Sequence, residues 1–257
     1  MTVPQEIIDF AKSSANNFHV RIVRAFRERE WQTLISPYYL DVATNRAREI
    51  DLVAERSWDI AESFRQRGRR LNMKLLIECK YIAQDTVFWF DQRDSEATYR
   101  WLQVNTPLPG PDNLYTSRHH YFSSDSVAKL FASRAGREPE REAIYKALNQ
   151  SLHAMVYLRG KESILQGEQE ARRPHSIVEL PVIVVNSFEK FYQVDINNPG
   201  DIKPIGENFQ LEVNYAYLGA DRRDRNEYFL IDVVALDKLD DFLGALDADA
   251  SAMAQFM

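Results

Sequence analysis

Two short apolar runs in this 257-residue chain carry charged side chains where a buried strand would be apolar. The first run contains Glu49 and Asp51, and the second contains Glu78 and Lys80. Side chains alternate between the two faces of a strand, so Glu78 and Lys80 share one face. Glu49 and Asp51 share a face for the same reason. If the strands are neighbours, two or three carboxylates and one ammonium group meet; otherwise they are separate edge strands with ordinary salt bridges.

Carboxylates at the ends of adjacent strands suit a hard divalent cation such as Mg²⁺, which prefers oxygen ligands and keeps several waters. Such an ion can activate a water molecule and neutralise the charge that develops on a phosphate oxygen. A neighbouring lysine can hold that water or accept its proton, because the pKa of an ammonium group shifts readily in a crowded site. These residue types therefore predict metal-assisted hydrolysis of a phosphodiester bond.

The elements around these residues predict an α/β fold with a mixed sheet. Apolar residues at three- and four-residue steps predict a helix at the start of the chain, and short apolar runs predict strands. The predicted helices cover residues 4–30, 57–70 (a helix or a long excursion), 95–104, 127–133, 140–159 and 236–246. The predicted strands cover residues 33–41, 49–55, 71–82, 86–90, 177–186, 191–196, 209–218 and 228–234. Pro37 interrupts the first strand and indicates an edge or a bulge there.

The chain contains no evident linker, so we expect a single elaborated domain over residues 1–246. Residues 95–135 contain a long proline-containing loop and are interpreted as an insertion. This loop carries His119 and His120. Neighbouring side chains of a strand-like segment face opposite ways, which argues against joint metal binding by these two histidines. The Ala- and Asp-rich residues 247–257 are expected to form a flexible tail.

Composition and charge narrow the class of protein. The chain is 45% hydrophobic and 27% charged, as is usual for soluble globular proteins. No apolar run approaches the roughly 20 residues that span a bilayer, so no membrane contact is expected. The single cysteine, Cys79, fits a reducing cytoplasm, and we expect it to be buried filler. The net charge of −6 disfavours nucleic acid, but residues 19–80 carry 13 lysines and arginines against 9 acidic residues, which favours an anionic ligand there.

The motif Glu49-Ile50-Asp51 on one apolar strand and Glu78-Cys79-Lys80 on the next, after an amphipathic helix, resembles the PD-(D/E)XK nuclease superfamily. That superfamily includes type II restriction enzymes, Mrr-like restriction enzymes and Holliday-junction resolvases, and the resemblance covers residues 5–90. It implies a restriction-endonuclease-like mixed sheet flanked by helices. It also implies Asp51, Glu78 and Lys80 as catalytic residues, with both acids as ligands of Mg²⁺ or Mn²⁺, and DNA as the substrate with RNA as an alternative.

Two departures from the family pattern bear on the metal. Ile50 occupies the place of the proline that usually precedes the first acid. Many members carry a glutamate on the first helix, and His19 lies at that place here, either as a replacement ligand or without a role. Because Mg²⁺ prefers oxygen, ligation by histidine predicts a preference for Mn²⁺. Glu49 is either a further ligand or an ordinary partner for Arg46 or Arg48.

Further residues are predicted to contact nucleic acid. Gln150 matches a glutamine that exonuclease-like branches carry on the helix after the lysine strand. The candidate phosphate contacts are Arg46, Arg48, Arg67, Arg69 and Arg70. The resemblance implies a cytoplasmic nuclease of restriction, anti-phage defence or repair, working as a homodimer or with other subunits of a defence complex. The alternatives are a nuclease-fold protein with little or no turnover that binds nucleic acid or mediates assembly, and an unrelated α/β enzyme.

Overall fold

The computed structural model describes residues 3–41, 44–60, 69–134, 143–159, 175–219 and 221–257, which form helices packed on a large mixed sheet. The strands are β1 (Gln32–Ile35), β2 (Tyr38–Asp41), β3 (Arg46–Glu49), β4 (Leu52–Ile60), β5 (Arg69–Lys80), β6 (Thr86–Gln92), β7 (Ser126–Ser133), β8 (His175–Val185), β9 (Phe191–Asp195), β10 (Asn198–Pro204), β11 (Phe209–Leu218) and β12 (Asp224–Ala235). The helices are α1 (Gln5–Ser13), α2 (Ala15–Glu28), α3 (Ser95–Asn105), α4 (Leu114–Ser117), α5 (Ala143–Leu158) and α6 (Leu239–Met253), with short 3₁₀ segments at His120–Phe122, Leu236–Lys238 and Ala254–Phe256. Within these ranges, no helix is both long enough and apolar enough to cross a membrane.

Ten strands form one sheet in the order β1-β4-β5-β8-β12-β11-β7-β6-β9-β10, and β2 pairs with β3 in a separate hairpin. Strand β4 runs antiparallel to both β1 and β5, whereas β8 runs parallel to β5. Parallel neighbours need a crossover connection. Helix α5 provides part of it, because it precedes β8 in the chain and packs on both β5 and β8. The predicted α/β fold, a mixed sheet flanked by helices, is therefore confirmed.

The core lies where helices cover the centre of the sheet. Leu75, Leu76 and Ile77 of β5 are consecutive and so point to both faces, yet all three are fully buried. Ile22 and Phe26, on the apolar stripe of α2, are also fully buried. Burial of each such side chain stabilises the fold by about 1.5–3 kcal/mol relative to exposure. This packing fixes the positions of the charged ends of β4 and β5.

Two elements that were predicted to be continuous are interrupted. The first helix divides at Ser14, whose hydroxyl accepts a hydrogen bond from the backbone N–H of Asn16 and caps α2. The first strand divides at Ser36, which has a positive φ of 51°, and at Pro37, which lacks an N–H donor for a ladder. As a result β1 joins the main sheet, and β2 pairs with β3 instead.

Three predictions of local structure were wrong. Residues 57–60 continue β4 because they pair with the first residues of β5, and residues 61–68 of the predicted helix lie outside the described part of the chain. Residues 126–133, inside the predicted insertion, form β7 between β6 and β11 instead of a helix. The residues predicted as a flexible tail continue α6 as far as Met253, whose side chain is buried, so the boundary at residue 246 was too early.

Candidate functional site

The register of β4 and β5 brings two carboxylates together at the ends of the strands. Leu52, the first residue of β4, pairs with Ile77, so Asp51 lies opposite Glu78. The backbone N–H of Cys79 donates to Asp51 Oδ2 over 2.8 Å and holds that carboxylate against β5. Because main-chain pairing sets both positions, the convergence follows from the fold and does not depend on flexible side chains.

Lys80 joins the two carboxylates into one cluster. Its Nζ lies 2.6 Å from Glu78 Oε2 and 3.4 Å from Asp51 Oδ2. The side chains of Lys80 and Asp51 are each 20% exposed, whereas that of Glu78 is 0% exposed. The structure therefore brings together the three residues predicted to be catalytic, with Glu78 innermost and the other two partly open to solvent.

The environment of Glu78 favours its neutral form when no cation other than Lys80 is near. Burial raises the pKa of this carboxyl group to about 8, and the charge of Asp51 raises it too, while Lys80 opposes the shift. Glu78 Oε1 is buried and has no hydrogen-bond partner among the described residues. A buried carboxylate oxygen without a donor, next to a second carboxylate, is a donor set that fits a hard divalent cation.

Helix α2 brings His19 to the same place. A ring nitrogen of His19, a carboxylate oxygen of Asp51 and Cys79 Sγ all lie within 4.8 Å of one another. The position predicted for a replacement ligand is thus beside Asp51. Burial raises the pKa of the Cys79 thiol well above its usual range, so this thiol is neutral and is not a nucleophile.

Glu49 is close to the cluster but belongs to a different element from the one predicted. It ends β3, whereas β4 begins at Leu52, so Glu49 and Asp51 do not share one strand. Hydrogen bonds from Ser36 and Tyr38 lower the pKa of Glu49, and the nearby charges of Asp51 and His19 act on it as well. Its carboxylate is already bonded, and its role as a metal ligand stays a prediction.

Two of the arginines predicted to contact nucleic acid lie on β3, in the hairpin beside the site. Arg46 is exposed. Arg48 donates to the buried carboxylate of Asp41 over 2.6 Å instead of pairing with Glu49. Arg46 makes no ion pair with an acidic side chain among the described residues, and its contact with a phosphate stays a prediction.

The other arginines lie at the opposite end of β5 from the cluster. Arg69 and Arg70 begin this strand and Lys80 ends it. At about 3.3 Å per residue, Arg70 and Lys80 are roughly 33 Å apart. Arg70 also pairs with Asp59 over 2.9 Å. These arginines therefore do not adjoin the cluster, and a contact between them and nucleic acid stays a prediction; Arg67 lies outside the described residues.

Gln150 was predicted from the sequence, whereas Tyr39 was not. Gln150 is half-buried on α5, the helix that packs on β5, and its role stays a prediction. Tyr39 is buried on β2, and its hydroxyl has no hydrogen-bond partner among the described residues. Burial raises the pKa of Tyr39, and the charge of Glu78 raises it further, so this hydroxyl near the cluster keeps its proton. Alternation along β2 puts Tyr39 and Asp41 on its buried face, but no spacing in the sequence relates Tyr39 to Glu78.

The fold and the cluster together define a mixed α/β protein with two carboxylates and a lysine at the ends of paired strands. Comparison with protein-family models, with curated proteins and with solved structures finds no match for this chain. The geometry of the cluster and the order of the elements that carry it are therefore what supports a function for this chain.

Proposed function

We propose that the chain is a metal-dependent nuclease of the PD-(D/E)XK type that hydrolyses phosphodiester bonds of DNA. The observation that carries this proposal is the cluster of Asp51, Glu78 and Lys80, in which one ammonium group lies within 3.4 Å of both carboxylates. These are the residue types of the nuclease motif, in the order in which the motif has them. A role in restriction, anti-phage defence or repair is supported by the resemblance alone.

The order of the elements supports the same proposal. The resemblance implies a leading helix and a strand before the first acid, and α2 and β1 occupy those places. The first acid directly precedes β4, and the second acid and the lysine end β5. Helix α5 and the parallel strand β8 then supply the later helix and strand of such a core.

Asp51 and Glu78 are the residues that would hold Mg²⁺ or Mn²⁺, with His19 beside Asp51. The unsatisfied Oε1 of Glu78 is an oxygen that such an ion would satisfy. When bound, the ion supplies positive charge that activates water and offsets the negative charge that develops on the phosphate. Since a cation and a proton compete for Glu78, metal affinity should increase as the pH approaches 8.

Lys80 acts in this proposal as a cation and a hydrogen-bond donor. Burial lowers the pKa of its ammonium group, but Glu78 and Asp51 raise it more, so the pKa lies above its usual value. An ammonium group that keeps its proton can orient the attacking water or donate to a phosphate oxygen. At neutral pH we therefore assign Lys80 to orientation and charge stabilisation and not to proton abstraction.

Basic residues on two elements beside the cluster fit the phosphate backbone of a nucleic acid. Arg21 and Arg24 are exposed on α2, the helix that also carries His19, and Arg46 is exposed on β3. Lysine and arginine contacts to phosphates supply most of the affinity of non-specific DNA binding. At about 100° per residue, Arg21 and Arg24 point roughly 140–200° away from His19, so these two arginines would contact DNA beyond the cluster and not at it.

The test is cleavage of plasmid DNA by the purified protein in Mg²⁺, Mn²⁺ or EDTA. We expect cleavage with either ion, none in EDTA, and loss of cleavage in the Asp51→Asn variant, which keeps the shape of the side chain and removes its charge. Asp59→Asn is the matched control, because Asp59 is a 65% exposed carboxylate near the far end of β4. This control should cleave like the wild type.

Equal cleavage by the wild type and by Asp51→Asn would refute the proposal. If the wild type cleaves no DNA, calorimetry with Mn²⁺ distinguishes a protein that binds metal without turnover from a protein that binds no metal. Metal binding that Asp51→Asn abolishes, in a protein that cleaves neither DNA nor RNA, would favour a nuclease-fold protein that binds nucleic acid without turnover.

A glutamate at position 19 is expected to shift the metal preference from Mn²⁺ towards Mg²⁺. A ring nitrogen of His19 lies within 4.8 Å of a carboxylate oxygen of Asp51, so the substitution would exchange a nitrogen ligand for the oxygen that Mg²⁺ prefers. The ratio of cleavage rates in Mn²⁺ and Mg²⁺ should fall about tenfold in His19→Glu, equivalent to roughly 1.4 kcal/mol. His19→Gln, with a neutral oxygen, should give an intermediate ratio. An unchanged ratio in His19→Glu would remove His19 from the metal site.

A further inference from the structure

A second cluster of buried ionisable side chains involves none of the residues of the candidate nuclease site. It consists of His119 and His120 at the start of a 3₁₀ turn, Asp232 on β12 and Asp249 on α6. These four side chains are at most 6% exposed. The interpretation that the two histidines face opposite ways was wrong, because the segment is a 3₁₀ turn and not a strand. Their ring centroids lie 4.5 Å apart.

Both imidazole rings reach the same carboxylate. His120 Nδ1 contacts Asp249 Oδ2, and His119 Nε2 lies 3.4 Å from that same oxygen. The other nitrogen of His120, Nε2, lies 3.2 Å from Asp232 Oδ2. One nitrogen of each histidine and one oxygen of Asp249 therefore lie within 4.8 Å of one another.

The hydrogen bonds of this cluster leave one buried nitrogen unsatisfied. His119 Nε2 has no hydrogen-bond partner among the described residues, and its side chain is 0% exposed. Nδ1 of this ring accepts a hydrogen bond from the backbone N–H of Tyr121, so the ring is a neutral imidazole, the form that binds metal ions. Because buried polar atoms are almost always paired, a nitrogen that faces a carboxylate without bonding to it indicates room for a further group.

We propose that His119, His120 and Asp249 bind a transition-metal ion of the Zn²⁺ class, independently of the proposed nuclease site. Two imidazole nitrogens and one carboxylate oxygen form a common ligand set for Zn²⁺. With metal–ligand bonds of about 2.0–2.2 Å in a tetrahedral site, ligand atoms lie roughly 3.3–3.6 Å apart. The 3.4 Å between His119 Nε2 and Asp249 Oδ2 matches that separation.

Asp232 would orient His120 for this role. An N–H on the Nε2 side of His120 can donate to Asp232, which leaves Nδ1 for the metal, and a carboxylate commonly fixes the tautomer of a ligating histidine in this way. Gln210 in turn donates to Asp232 Oδ1 over 3.1 Å, and Arg93 donates to Gln210 over 2.9 Å. The ligand is therefore held by a second layer of bonded side chains.

Metal binding has two costs that can be read from the hydrogen bonds. The contact between His120 Nδ1 and Asp249 must open to admit the ion. The backbone N–H of Tyr121 donates to His119 Nδ1 over 3.2 Å, and this bond is lost when the ring proton moves from Nε2 to Nδ1. His120, whose Nδ1 contacts Asp249 and whose Nε2 contacts Asp232, keeps only the proton on Nε2 when Nδ1 binds the ion.

A cavity adjoins the cluster on the side of His120 and Asp232. This cavity of about 590 Å³ is lined by His120 and Asp232, together with Gln210, Phe209 and Phe242. An ion that enters here would join the 3₁₀ turn to α6, which are 129 residues apart in the chain. Its expected effect is to hold the C-terminal helix on the sheet.

The test titrates EDTA-treated full-length protein with Zn²⁺ and with Co²⁺ as a spectroscopic probe. We expect one ion per chain at this site and a higher melting temperature in Zn²⁺. His119→Gln, which keeps His120 and both aspartates, should bind Zn²⁺ at least about tenfold more weakly. The control, with Asp51→Asn and Cys79→Ser together, removes the other nitrogen, oxygen and sulfur group, so a Zn²⁺ ion that this double variant still binds is assigned to the histidine cluster.

X-ray absorption on the Zn²⁺-loaded wild type gives a readout that does not depend on the folding of a variant. The expected first shell contains only nitrogen and oxygen. A sulfur scatterer at about 2.3 Å would assign the ion to Cys79 and overturn the proposal. The proposal is also overturned if no Zn²⁺ binds, if His119→Gln binds as many Zn²⁺ ions as the wild type with the same affinity, or if the Asp51→Asn and Cys79→Ser double variant binds none.

Discussion

Replacement of Lys80 by methionine is expected to lower the rate of DNA cleavage about 10²–10³-fold without weakening the binding of Mn²⁺. Lys80 Nζ lies 2.6 Å from Glu78 Oε2 and 3.4 Å from Asp51 Oδ2, where it contacts oxygens that an ion would use. Removal of the ammonium group takes away stabilisation of the transition state. It also takes away a positive charge that repels the incoming ion, so cleavage and metal binding respond differently.

The two effects should be measured separately at about pH 9, with single-turnover cleavage and Mn²⁺ calorimetry. Burial raises the pKa of Glu78 to about 8, and Lys80 opposes this rise, so the substitution raises the pKa further and strengthens proton competition at pH 7. The control is Lys129→Met, which removes a partly exposed lysine that pairs with Glu212 over 3.0 Å. Cleavage that survives Lys80→Met would exclude this lysine from catalysis. A parallel loss of binding and cleavage would indicate that it only supports the structure.

The positions of the clustered residues were predictable because side chains alternate between the two faces of a strand, so the spacing in the sequence sets the direction of each side chain. Glu78 and Lys80 are two residues apart on one strand, so they share a face in any pairing. The position of Asp51 required the further assumption that β4 and β5 are neighbours, and the pairing of these strands supplies it. Glu49 was misplaced because β3 pairs with β2 in a local hairpin that ends at Glu49, so the apolar run is interrupted at Ile50 before β4 begins.

Contacts between residues that are far apart in the sequence could not be predicted from local spacing. His120 and Asp249 are separated by 129 residues, and no local pattern relates them. The strand β7 was misread because its run of residues, with Ala128 and Lys129, also suits a helix. Its strand conformation is imposed by pairing with β6 and β11. Local periodicity thus identified the segment but not its conformation, since the partner strands decide it.

Asp249 is buried on the C-terminal helix α6, and removal of its charge should have a large effect on the stability of the fold. Asp249→Asn is expected to lower the free energy of unfolding of the EDTA-treated protein by about 3–5 kcal/mol, because it leaves a buried imidazolium group with one counter-charge instead of two. Asp249 accepts hydrogen bonds from both the backbone N–H and the ring of His120. Urea denaturation at pH 6, followed by circular dichroism, measures the difference.

Asp247→Asn is the matched control, since Asp247 lies on the same helix and pairs with Arg56 over 2.8 Å at a partly exposed position. It should cost at most about 1 kcal/mol. Equal losses in the two variants would show that the buried cluster does not stabilise the fold.

The pH dependence of stability separates a buried charge pair from simple loss of packing. Burial alone would lower the pKa of His120, but Asp232 and Asp249 raise it to about 10 from 6.5. The contribution of His120 is therefore complete below pH 6.5 and is lost as the pH rises towards 10, by up to about 1.4 kcal/mol per pH unit. Burial raises the pKa of Asp249, but His119 and His120 lower it more, so its contribution is lost only as the pH falls below 3.8. The difference between wild type and Asp249→Asn should accordingly be largest near pH 6 and shrink by pH 10; a difference that does not change with pH would mean that packing, and not the charge on His120, holds α6 in place.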